Sequence, residues 1–443
     1  MMTPLNKVSA VVFRVVLALA LLPSQVLAEE AAAAAARIDT GDTAWILIST
    51  ALVMLMTPGL AMFYGGMVRS KNVLGTIMHS FIAIALISVQ WVLFGYSLAF
   101  GPDVNGLIGN LSWAGLAGVG TAPNTDYAAT VPHLAFMAYQ MMFAVITPAL
   151  ISGAFAERMK FSTYLIFSLA WTTIVYDPVA HWVWGAGGWL KGLGVLDFAG
   201  GIVVHATSGF SALAAALYIG KRKGFLQESM PPHDLPLTVF GAGILWFGWF
   251  GFNAGSALSS GSLATVAFVT THLAAVAATL TWTMVEWYHR GKPTMFGAAT
   301  GAIAGLATIT PAAGYVSPMA ALAIGAGAGL LCYTALNAKV KFRYDDSLDA
   351  FGVHGVGGML GTVMAGVFAS TAINAGGADG LFFGNPRQLA IQAGAVLLIA
   401  AYSFAVSMAL FKVLDLTMGL RVAKDEEIEG LDITQHGEQG YTH

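Results

Sequence analysis

The chain has 443 residues, of which 57% are hydrophobic and only 10% charged, with a net charge of −3 and one cysteine. A soluble domain carries about 25% charged residues, so a water-facing globule is excluded and the chain is read as an integral membrane protein. The lone Cys332 also excludes an intrachain disulfide framework and a cysteine-based zinc cluster.

The N-terminus, residues 1–28, has the pattern of a secretory signal peptide. Lys7 supplies a positive start, "VVLALALL" (15–22) a short apolar core, and "VLA" before Glu29 the small residues a signal peptidase needs. The apolar core is shorter than the roughly 20 residues of a span, which favours cleavage after Ala28 over an uncleaved first helix; Arg14 inside the segment is the one discordant residue. Residues 29–41 form a short alanine-rich linker on the extracytoplasmic side.

Apolar stretches able to span a bilayer then follow near 43–66, 73–99, 132–155, 162–182, 199–219, 236–257, 263–287, 294–310, 317–337, 350–371 and 388–416. The expectation is an all-α fold of eleven transmembrane helices over 42–420, with a polar tail over 421–443. Loops after odd-numbered spans hold "RSK" (69–71), "ERMK" (157–160), "KRK" (221–223), "RGK" (290–292) and "KVKFR" (339–343), whereas loops after even-numbered spans hold only Lys191 and Arg387 among basic residues. Basic loops stay cytoplasmic. The mature N-terminus is therefore expected outside and the tail in the cytoplasm, as for a multi-pass protein of the inner (cytoplasmic) membrane.

Two spans echo one another. His205 in "VHATSGFSA" and His354 in "VHGVGGMLG" both fit Val-His-x-x-x-Gly-x-x-small, and Asp197 ("LDFAGG") and Asp349 ("LDAFG") precede them. These are spans five and ten, so five helices per half make the second half inverted relative to the first, plus a final helix. Small neighbours permit close helix approach, which would let the imidazoles meet. An isolated membrane histidine is ordinarily a satisfied core group; a repeated pair marks a pathway, because ionisable groups at that depth are costly. His79 and His272 lack the echo and read as packing or interface groups. The aspartates read as helix N-caps, with Asp197 alternatively adding negative potential near an outer mouth.

"ILWFGWFGFNAGSA" (244–257) and "YQMMF" (139–143) would each pass for ordinary membrane packing. Together they supply aromatic faces that attract a small cation and a hydroxyl, Ser256, that can accept an N–H bond.

The stretches "FYGGMVRSKNVL", "GAFAERMKFS", "AHWVWGAGGWL", "LDFAGGIVVH", "GWFGFNAGSA", "DAFGVHGVGG" and the tail "GLRV…EGLD…HGE" resemble the ammonium transporter (Amt) family, from about residue 42 to the end. The resemblance implies a homotrimer with one narrow pore per subunit and twin pore histidines, His205 and His354. It implies an outer ammonium-recruiting site at Trp184, Ser256, Phe143 and Tyr139, and an aromatic gate of Phe143 and Phe252. Trp249 would line the pore, and Asp197, with Asp349 as its echo, would support the vestibule. Asp177 and His272 inherit no role. The resemblance further implies a cytoplasmic PII signalling protein as partner, with the tail as its regulatory element. No cofactor, metal or nucleic acid is expected.

An intact cation in a dry apolar pore faces a cost on the order of tens of kcal/mol, and no carbonyl filter sequence is present to offset it. The expected solution is to recruit ammonium, remove its proton, and pass ammonia beside the histidines while the proton moves separately. The alternatives are an electroneutral Rh-like gas channel, a sensor that only binds ammonium, and a membrane-embedded metalloenzyme. The last lacks any close ligand cluster such as H-E-x-x-H.

Overall fold

A computed structural model describes residues 37–441. The expected signal peptide (1–28) and most of the linker lie outside the described residues. In a membrane every backbone polar group must be satisfied internally, and the apolar stretches accordingly form helices. These are α1 Thr40–Met67, α2 Ser70–Phe100, α3 His133–Phe155, α4 (161–184), α5 Gly201–Ile219, α6 Leu235–Ala257, α7 Ser262–Arg290, α8 Met295–Ile309, α9 Pro318–Phe342, α10 Phe351–Phe368 and α11 Pro386–Thr417. Nine are long and apolar enough to cross a bilayer by themselves; the other two are the short α8 and α4, which carries the buried Asp177. Short polar side chains cap several starts: Asp39 accepts from the Asp42 N–H, Asp234 from Leu237, Thr294 from Gly297 and Ser317 from Ala320.

The two halves pack alike. The neighbours α1–α3, α3–α5 and α2–α4 in the first half recur as α6–α8, α8–α10 and α7–α9 in the second, and α1 lies along α6 where the halves meet. This is the inverted five-helix repeat, with α11 packed against α5 and α10 as the added helix. Between α2 and α3 a loop folds into two small hairpins, β1 (Asp103–Val104) with β2 (Ile108–Gly109) and β3 (Pro123–Asn124) with β4 (Ala128–Pro132).

The tail docks on one face of the bundle. Lys160 N–H donates to Leu420 O at 2.9 Å, and Val422 N–H to Arg158 O at 3.1 Å. Glu427 accepts from the Lys223 N–H and from Arg421, and Asp432 accepts from the Leu74 and Gly75 N–H groups at the start of α2. The basic loops on this face are thus tied down by acidic partners. Glu157 accepts from Arg69, and Asp345 takes three bonds from Arg222. Burial alone would raise the Glu157 carboxyl, but Arg222 and Arg69 beside it overcome this and hold it below the usual carboxylate value. Burial would likewise raise Asp345, and Arg222 and Arg158 hold it low.

Candidate functional site

Helices α5 and α10 begin inside the protein rather than at its faces. The segments leading into them are buried, including Leu196, Asp197 and Ala199 before α5 and Asp346, Leu348 and Ala350 before α10. Each helix opens with a wide π turn, Gly201–Ala206 and Phe351–Gly355, and each turn carries a histidine. Insertions of this kind recur at functional sites. The helices approach so closely that a Cβ on Gly209 would lie 2.0 Å from the Gly355 nitrogen, and one on Gly358 would lie 2.8 Å from the His205 Cβ. Side chains larger than hydrogen would push the histidines apart.

With that approach, His354 Nδ1 lies 3.2 Å from His205 Nδ1, and the rings stack at 5.2 Å with 15° between planes. His205 Nε2 is buried with no hydrogen-bond partner among the described residues. Beside the pair lies a cavity of about 10 Å³, walled by Met56, Leu60, Ile146, Trp249, Phe252 and other apolar side chains. That is roughly the space one water-sized molecule needs. Trp249 is held in the wall by donating from Nε1 to Thr310 Oγ1 at 2.9 Å.

An aromatic line runs from the pair toward the face opposite the tail. His205 stacks on Phe252 at 6.0 Å, Phe252 meets Phe143 at 4.2 Å, and Phe143 meets Trp184 edge-on at 6.0 Å. Phe143 and Phe252 are both buried and block the line. Beyond them opens a cavity of about 150 Å³ whose walls include Phe143, Trp184, Ser256, Gln140, Tyr127 and Lys191. Trp184 is fixed by donating from Nε1 to Asp197 O at 2.8 Å, and Ser256 Oγ donates to Phe252 O at 2.9 Å. Gln140 Oε1 is buried and has no hydrogen-bond partner among the described residues.

Tyr139 does not face this cavity. Its hydroxyl turns onto α6, within 2.9 Å of Gly251 O and 2.8 Å of Phe252 O, and 3.1 Å from Ser256 Oγ. It ties α3 to α6 behind the aromatic line. Gln140, its neighbour, was not singled out in sequence; a polar residue beside "MMF" in an apolar helix was the available signal.

The aspartates differ from the expected pairing. Asp197 caps α5 through four bonds, from the N–H groups of Gly200, Gly201, Ile202 and Val203 at 2.7–3.0 Å. The corresponding cap of α10 is Asp346, which accepts from the Ala350 and Phe351 N–H groups at 3.1 and 2.8 Å. Asp349 instead forms an ion pair with Lys339. The Asp349 carboxylate is engaged by Lys339, which leaves the first-turn N–H groups to Asp346. The eight-residue step from Asp197 to His205 is repeated from Asp346 to His354, a spacing that would have identified the correct aspartate.

The other histidines stay apart from the pair. His79 sits among Phe155, Phe161 and Tyr164, and His272 packs on Trp246 and Phe250.

Eleven helices in two inverted repeats, with one helix of each repeat starting inside the protein, define a multi-pass membrane protein of the transporter class. The chain belongs to the Ammonium Transporter Family, whose family model matches residues 44–441. It is 53% identical over 402 residues to an ammonium transporter of Bacillus subtilis, covering 90% of this chain and 98% of that one. It is 50% identical to ammonium transporter Amt1 of Archaeoglobus fulgidus over 91% of this chain and 99% of the relative. Among solved structures it is similar to Mep2 of Saccharomyces cerevisiae, with a TM-score of 0.83 and 38% identity over 88% of this chain and 89% of that one. It is also similar to a structure titled Sensor Amt Protein, with a TM-score of 0.82 and 30% identity over 89% of this chain and 98% of that one.

Proposed function

We propose that the protein moves ammonium by recruiting the cation in the aromatic cavity, transferring its proton past the Phe143–Phe252 pair to the His205 imidazole, and passing ammonia beside His205 and His354. The observation that carries this reading is the unbroken line Trp184–Phe143–Phe252–His205–His354, in which no ring-to-ring step exceeds 6.0 Å.

In the cavity, π-faces of Phe143 and Trp184 attract a cation, while Ser256 Oγ and Gln140 Oε1 are placed to accept its N–H bonds. Beyond the blocking rings the walls are apolar except for the imidazole edges. Ammonia, being neutral and hydrogen-bonding, fits a space of one small molecule; ammonium and hydrated potassium do not escape the desolvation cost. A pair of imidazoles in hydrogen-bond contact can hand a proton along the line, so net transport is of ammonium with the proton moving separately.

The remaining parts of the reading rest on charge placement and family likeness. The basic loops and the tail lie in the cytoplasm, in the inner membrane, with the aromatic cavity outside. The protein works as a homotrimer with one path per subunit, and the docked tail is the surface a PII signalling protein engages. The likeness to a protein titled as a sensor leaves one competing reading, a receptor that binds ammonium without flux. Ammonium-evoked current and pH change in proteoliposomes separate the two: sustained flux supports transport, binding without flux supports the sensor, and flux without current supports electroneutral passage.

A further inference from the structure

The charged residues lining the outer cavity, among those described, are Asp126 and Lys191. Lys191 lies on the one-turn helix Trp189–Gly192 after α4, exposed at the rim. Its Nζ donates to Trp184 O at 3.1 Å and stands 5.9 Å from the centre of the Tyr127 ring. It is one of only two basic residues in loops after even-numbered spans, so the rule that places basic loops does not account for it. The other, Arg387, begins α11 and is not part of this cavity wall.

We propose that Lys191 is a tethered ammonium group that sets the affinity of the cavity, repelling incoming cations and occupying part of the polar and aromatic surface that would receive them. The proposal rests on the reading that this cavity receives ammonium. A primary ammonium seeks the same partners as the free ion, and here it has taken a carbonyl of Trp184 and approached the face of Tyr127. Asp126, on the β3–β4 turn, carries the opposing charge that keeps the mouth from being strongly positive. The pair tunes how much ammonium is needed to fill the site and leaves the path beyond Phe143 untouched.

Initial rates of ammonium uptake into proteoliposomes, measured against ammonium concentration at low and high salt, test this. Two exposed unit charges several ångströms apart in a watery mouth change occupancy by about threefold, and salt screens the effect. Lys191→Gln, which keeps a donor but loses the charge, is expected to lower the half-saturating concentration by about threefold at low salt, with the difference shrinking at high salt. Lys191→Arg keeps the wild-type value, and Asp126→Asn moves it in the opposite direction. A Lys191→Gln value equal to or above wild type overturns the proposal, as does a shift that salt leaves unchanged. Trp184→Leu in the same assay separates the two levels. If Trp184→Leu raises the half-saturating concentration while Lys191→Gln does not lower it, only the role of Lys191 falls; if neither moves it, the recruiting cavity falls as well.

Discussion

His205 and His354 face each other through their Nδ1 atoms at 3.2 Å. One of the two nitrogens must donate and the other accept, so the rings carry unlike proton arrangements. Solid-state spectra of protein labelled with ¹⁵N-histidine are expected to show one ring protonated at Nδ1 and its partner at Nε2. Two like tautomers would mean that the rings do not share a hydrogen bond.

Trp184→Leu keeps much of the apolar volume but removes the π-face at the cavity wall. A cation–π contact is worth about 0.5–2 kcal/mol, so the half-saturating ammonium concentration should rise by roughly twofold to thirtyfold with the fold intact. Uptake curves with an unchanged half-saturation would remove Trp184 from the recruiting site.

The caps of α5 and α10 give a stability test. Asp197→Ala strands four buried N–H groups, and with single caps worth about 0.5–2 kcal/mol the loss should be at least about 2 kcal/mol. Asp346→Ala should likewise lower the melting temperature of the detergent-solubilised protein, and should do so also in a Lys339→Met background, where Asp349→Ala no longer breaks an ion pair and should cost little. Equal effects of the two changes in that background would dissolve the Asp197–Asp346 equivalence.

The span pattern, the inverted repeat and the histidine pair were legible because apolar length, basic loops and a repeated Val-His motif are all properties of sequence. The repeat register at the aspartates was not. The "LD" dipeptides at 196–197 and 348–349 point to Asp349, whereas in the fold Lys339 holds that carboxylate and the cap falls to Asp346. Tyr139 was misplaced toward the cavity for a related reason: spacing in a helix gives the face, and only packing tells where a phenol hydroxyl ends. The π turns leave no compositional mark, since they change which carbonyl a given N–H reaches and not which residues are tolerated. Lys191 was visible as an exception to the charge pattern, but its place at the mouth required the fold.

The Arg222 network on the tail face makes a prediction about pH. Glu157 and Asp345 are held below ordinary carboxylate values, first against burial and then by Arg222 and its neighbours. A depressed carboxyl contributes stability that is present above its unfolded value and lost as pH falls through its folded value. Wild-type melting temperature should therefore stay level down to the ordinary carboxylate range and fall only below it. Arg222→Gln leaves two buried carboxylates short of a partner and should cost about 3–5 kcal/mol. Glu157 keeps Arg69 and Asp345 keeps Arg158, so both groups lose only part of what holds them low, and the loss relative to wild type should be full near pH 7 and shrink as the pH falls through the carboxylate range. A variant whose loss is the same at every pH would show that the two carboxylates do not depend on Arg222.

In the proposed mechanism, ammonium selectivity comes from the imidazole pair in an otherwise apolar path. The most direct measurement is current in proteoliposomes after an ammonium jump, with a potassium jump as control, for the wild type, His205→Ala and His354→Ala. The wild type should respond to ammonium and not to potassium, and each variant should lose at least about tenfold in ammonium-over-potassium preference, corresponding to about 1.4 kcal/mol, while retaining its oligomeric state. A His205→Ala protein that carries ammonium at the normal rate and still ignores potassium would contradict the account.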